Sequence, residues 1–138
     1  MTELLFCARS ATANLRQGAY AALAGISEVL SKQENDRVLA LLQERFGAPD
    51  GPVERDPVAA QIACPLLNGY DYSAARLALR GIAKSAPDQA WQSYSTFVLK
   101  EPKACPIIAN DMASVKISGN LQKKWLGLIS MAQQECGK

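Results

Sequence analysis

The residues of this chain best equipped for chemistry are its four cysteines, Cys7, Cys64, Cys105 and Cys136. Two of them stand in matching surroundings: Ala63-Cys64-Pro65-Leu66-Leu67 and, 41 residues later, Ala104-Cys105-Pro106-Ile107-Ile108. A proline after each cysteine reads as the first residue of a helix. Backbone amides at a helix start lower a thiol pKa and favour the reactive thiolate. The chain, however, has no histidine. That removes the commonest general base, the usual partner of a serine or cysteine nucleophile, and the commonest transition-metal ligand.

No two cysteines form a CxxC pair, and their spacings of 57, 41 and 31 residues match no common zinc pattern. The cysteines therefore read as structural. They are either four buried, reduced thiols or two disulfides, for which three pairings exist. The most suggestive pairing joins Cys64 to Cys105 between the two corners and Cys7 to Cys136 between the chain ends. Closing such long loops stabilises a fold by roughly 2–4 kcal/mol.

Other reactive constellations are missing. There is no glycine-rich phosphate loop, nucleophile elbow or dinucleotide fingerprint. Asp50, Glu54 and Asp56 gather carboxylates in one stretch, without the spacing of a calcium loop. No catalytic residue, metal site or cofactor is assigned, and an enzyme is not expected.

The elements that would position a site are helical. Leu15, Ala19, Leu23, Ile26 and Leu30 recur at helical steps and predict a helix from 10 to about 31. Gly18 and Gly25 weaken it unless a neighbouring helix packs close against them. Ser31 and Glu34 have capping-box spacing and open a helix carrying Val38, Leu41, Leu42 and Phe46, with Gly47 as a left-handed terminator. A proline- and glycine-rich loop follows over 48–55. Asp56-Pro57 starts the next helix, which Pro65 should kink or end.

Beyond the break at Asn68-Gly69, Asp71 or Ser73 caps a helix bearing Leu77 and Ile82. Ser85-Ala86-Pro87-Asp88 has capping-box spacing ahead of Trp91, Tyr94, Phe97 and Val98. Pro102 and Pro106 bracket a break before a short helix with Ile108, Met112 and Val115. A last helix spans about 120–135 on Leu121, Trp125, Leu128, Ile129 and Ala132. No stretch sustains the alternation of a half-buried strand. The expected fold is all-α: a single-domain compact bundle over 1–138, with six to seven helices of unequal length. The repeated corner adds a two-copy helical-repeat character at a period near that of HEAT and armadillo units, although solenoids need about three copies.

Function is constrained more by exclusion than by motif. A net charge of +2 gives no field that argues for nucleic acid. The apolar runs are far shorter than the roughly 20 residues that span a bilayer. The leading expectation is a non-catalytic domain of inhibitor, immunity or adaptor type that binds another protein through loops and helix ends. Asp50 and Glu54 in the acidic loop, with Tyr70, Asp71 and Tyr72 after the Asn-Gly turn, are the candidate partner-binding surface. The bland alternative has the tyrosines closing the bundle beneath a loop.

A second expectation is a small-molecule binder with an apolar cavity near Trp91, Met112 and Trp125. A third is a nucleic-acid contact through Lys116, Lys123 and Lys124. The opening residues lack a basic region and a long apolar run, so they do not read as a signal peptide. Cytoplasmic and periplasmic or secreted locations both remain open, as do the partner's identity and the oligomeric state.

Overall fold

Helix-start signals written into the sequence account for two of the helix starts, those after Ser31 and Asp56. The computed structural model describes the backbone of residues 1–136 and the side chains of 1–134. Among the described residues there are eight α-helices and no strand: α1 (Thr2–Cys7), α2 (Ala13–Ile26), α3 (Lys32–Phe46), α4 (Pro57–Leu67), α5 (Tyr72–Ser85), α6 (Pro87–Lys100), α7 (Cys105–Ala113) and α8 (Leu121–Cys136). Short 3-10 turns follow α2 at Ser27–Val29 and precede α7 at Pro102–Ala104. The all-helical expectation holds, with more helices than the six or seven read from sequence.

Ser31 and Glu34 form the expected capping box, each side chain accepting from the other residue's backbone amide at 3.1 and 3.0 Å. Asp56 caps α4 by accepting from the Val58 amide, with Pro57 in the first turn. Several expectations need correction. The long helix expected from 10 to 31 is α2 alone, ending in a 3-10 turn, and the separate α1 precedes it. Pro65 does not end its helix: α4 continues through it to Leu67. Pro65 and Gln61 are both exposed, so water can serve the carbonyl that loses its amide donor. No capping box forms at Ser85. Ser85 is the last residue of α5, and a single residue, Ala86, joins it to α6.

The glycines also act differently from expectation. A Cβ at Gly18 or Gly25 would meet nothing within 4 Å, so neither marks a helix crossing. Gly47 ends α3 at φ −108°, outside the left-handed region. Its reason is space: a Cβ there would lie 3.0–3.2 Å from backbone atoms of Gln43, Leu77 and Ala78. At Gly81 a Cβ would collide with the Phe46 carbonyl. The C-terminus of α3 thus rests directly on the backbone of α5.

α2 packs on α4, α3 on α5, and α4 on α5 and α6, while α7 pairs with α8. The core between them includes Tyr20, Leu23, Leu42, Phe46, Leu67, Tyr72, Leu79, Ile82, Tyr94, Phe97 and Trp125. The two Cys-Pro stretches occupy different places. Cys64 and Pro65 lie inside α4, whereas Cys105 and Pro106 open α7. They are not equivalent corners.

The loop between α3 and α4 is pinned from below by Glu54, which is only 1% exposed. Arg16 of α2 grips its carboxylate with two hydrogen bonds, of 2.6 and 3.2 Å. The Tyr20 hydroxyl donates to it at 3.2 Å, and the Arg45 guanidinium lies at 3.7 Å. Burial and the adjacent Glu54 charge push Tyr20 up to about 12. Glu54 is therefore an internal staple, and its place in the expected partner surface is withdrawn.

Candidate functional site

The start of α5 and the corner between α6 and α7 enclose a cleft of about 500 Å³. Its walls include Tyr72, Ser73 and Arg76 from α5, Lys100 and Glu101 at the end of α6, and Pro102, Lys103, Ala104 and Ile107 from the corner and α7.

Behind the cleft lies a second buried carboxylate. Asp111 is 5% exposed on α7. Arg76 binds it through Nε at 3.0 Å and Nη2 at 2.8 Å, and the Tyr72 hydroxyl donates to it at 2.6 Å. Tyr72 and Arg76 are one helical turn apart, so both side chains leave the same face of α5. Two hydrogen bonds to one buried carboxylate thus hold the guanidinium in place, while 37% of the Arg76 side chain remains exposed. The hydrogen bond to Asp111 raises the Arg76 pKa. Burial, and then the neighbouring Tyr94 and Asp111, push Tyr72 well above the usual phenol range. It stays protonated and acts as a donor.

Lys100 and Glu101 build the floor. The Lys100 ammonium donates to the Asn68 and Tyr70 carbonyls at 2.8 and 3.0 Å, at the C-terminal end of α4. The Glu101 carboxylate accepts from the Tyr72 amide at 2.8 Å. Asp71 stands at the N-cap of α5 but makes no side-chain cap, so Glu101 takes that role from 29 residues away. Neighbouring residues of opposite charge thereby meet helix ends of opposite polarity. Lys103 is exposed and has no ion pair or hydrogen bond among the described residues.

The expected surface is only partly assembled. Asp71 is exposed but is not in the cleft's lining, and Tyr72 is buried and presents no side chain to a partner. Tyr70 lines a different groove and donates its hydroxyl to the Asn35 carbonyl. Asp50 is exposed in the loop after α3. The residues that sequence reading missed are Arg76, Asp111, Lys100, Glu101, Lys103 and Ile107. Asp111 had a usable signal, because it shares a helical stripe with Ile108, Met112 and Val115, where a carboxylate needs a partner.

The remaining candidates fall elsewhere. No disulfide joins the cysteines among the described residues, so the expected Cys64–Cys105 bridge is absent. Cys64 points to the Gln89 carbonyl and Cys105 to that of Val98. Burial pushes the Cys64 thiol up to about 11, which keeps it protonated and poorly nucleophilic. The Cys7–Cys136 pairing lies outside the described residues, because the side chain of Cys136 is not among them.

Met112 and Trp125 are packed in the core, the indole donating to the Met112 carbonyl. A groove of about 360 Å³ passes them, but Trp91 is not in its lining. Trp91 instead donates to the Lys124 carbonyl across α6 and α8. Lys116, Lys123 and Lys124 are exposed, with the Lys124 ammonium over the Trp91 ring. No described helix is long and apolar enough to cross a membrane. Compared with known proteins, the chain matches no family model, no curated sequence and no solved structure.

Proposed function

We propose that this chain is a non-catalytic binding domain that receives a segment of another protein in the cleft between α5 and the α6–α7 corner. One observation carries the reading. An apolar wall of exposed Pro102 and Ile107 with half-buried Ala104 lines the cleft together with two fixed cations, Arg76 held by a buried carboxylate and Lys100 held at the end of α4. A surface held this firmly loses little freedom when it is covered, which favours association. An inhibitor, an immunity protein and an adaptor all need such a surface. The cleft's volume also falls in the range of small-ligand pockets, which makes a small acidic ligand the second reading.

The test places a photoreactive amino acid at Ser73, exposed in the cleft wall, in the source cell. A protein adduct that disappears in an Ile107→Glu background, with thermal stability retained, supports the proposal. A cleft that yields no more adduct than a control position at exposed Gln33 refutes it. Native mass spectrometry of the isolated protein separates the second reading, since a retained small molecule adds a small, discrete mass.

A further inference from the structure

We infer that the segment entering this cleft carries a single carboxylate side chain beside an aliphatic one, with Arg76 and Lys103 receiving the carboxylate. The inference rests on the binding-domain reading and specifies its ligand. Arg76 gives Nε and Nη2 to Asp111, so Nη1 keeps both of its donors without a partner among the described residues. The guanidinium cannot swing away cheaply, because that would strand a buried carboxylate. Its unused donors therefore stay available on a guanidinium that lines the cleft. Lys103 lines the same cleft and is likewise unpaired.

Charge selects the ligand further. Arg76, Lys100 and Lys103 face Glu101 and the buried Asp111, three cations against two carboxylates, leaving one net positive charge. That balance suits a monoanion and disfavours a phosphate dianion, which would add a second charge close to Glu101. The aliphatic neighbour follows from Ile107, which is 43% exposed beside Pro102 and Ala104.

The experiment is an NMR titration of the isotope-labelled full chain with three acetylated, amidated short peptides. They carry a central Glu-Leu pair, the same peptide with Gln for Glu, and the same peptide with phosphoserine for Glu. The Glu-Leu peptide should shift the Arg76 Nε–H and Ile107 methyl signals saturably. The Gln peptide should bind about tenfold to a hundredfold more weakly, the loss of a charged hydrogen bond. Lys103→Gln should weaken the Glu-Leu peptide about threefold. Equal binding of the Glu and Gln peptides, tighter binding of the phosphoserine peptide, or no shift at Arg76 with any of them overturns the inference. Those results leave the binding-domain reading standing if the cleft photoadduct is still lost in Ile107→Glu, and both fall together if it is not.

Discussion

The molecule contains the same polar device twice. On α2, Arg16 and Tyr20 stand one turn apart and converge on Glu54; on α5, Tyr72 and Arg76 stand one turn apart and converge on Asp111. Both carboxylates are buried, and both are held by a two-bond arginine and a tyrosine hydroxyl. They differ in what happens to the cation. Arg16 and Arg45 are largely buried around Glu54, whereas Arg76 is more than a third exposed. A buried ion pair contributes little net stability once desolvation is counted, but removing one member is costly. The Glu54 device therefore serves to tie the 48–55 loop to α2. The Asp111 device spends the same anchoring on a guanidinium that lines a cleft. Identical chemistry makes a staple when it is shut and a presented cation when it is open.

Several measurements would sharpen or break this contrast. The broadest effect is alkaline, because a buried tyrosine belongs to each device. Unfolded tyrosine releases its proton near pH 10, whereas folded Tyr20 holds its proton until about pH 12. The unfolded state ionises first, so the stabilisation is complete below pH 10 and is lost as pH rises through 12. Tyr72 and Tyr94 are pushed higher still, mainly by burial, and extend the loss. Tyrosinate absorbance and helical circular dichroism should change together. Ionisation of these tyrosines in a fully helical protein would contradict their burial.

Glu54→Ala comes next. It leaves two arginines and a tyrosine hydroxyl without their anion, at a cost of about 3–5 kcal/mol in denaturant unfolding. Asp111→Ala should cost less, about 1–3 kcal/mol, because Arg76 can turn to water and mainly the Tyr72 hydroxyl is stranded. Equal losses in the two variants would break the distinction between shut and open devices. The smallest effect belongs to the cleft floor. Lys100→Met should cost about 0.5–1 kcal/mol and fall with added salt, as expected of a cation at an exposed helix end.

The fold was legible wherever its signals were local. Ser31 with Glu34, and Asp56 with Pro57, name their helix starts within four residues, and the helical stripe of α8 names its buried face. The site was not legible because its partners are far apart in sequence. Glu54 looks like any loop carboxylate until Arg16 and Tyr20 arrive from 38 and 34 residues away. Glu101 gives no sign that it will cap a helix 29 residues earlier. For Tyr72 the sequence left two readings, a binding aromatic beside a turn or a residue closing the bundle, and its ring lies edge-on to Phe97 in the core. Of the two outcomes expected at Pro65, a kink or an end, the end is excluded: the helix runs on through it, with Cys64 and Leu66 on either side packed in the core.

The contact between Gly81 and Phe46 has a consequence for how this protein would respond to random substitution. No other amino acid fits at position 81 without lifting α3 off α5, although the glycine carries no side chain and takes part in no chemistry. In a saturation mutagenesis survey it should behave like an active-site residue, intolerant of every replacement. Gly18 and Gly25, equally helical but facing open space, should accept alanine freely. A tolerance map read without this geometry would place function at a point that acts only as a spacer.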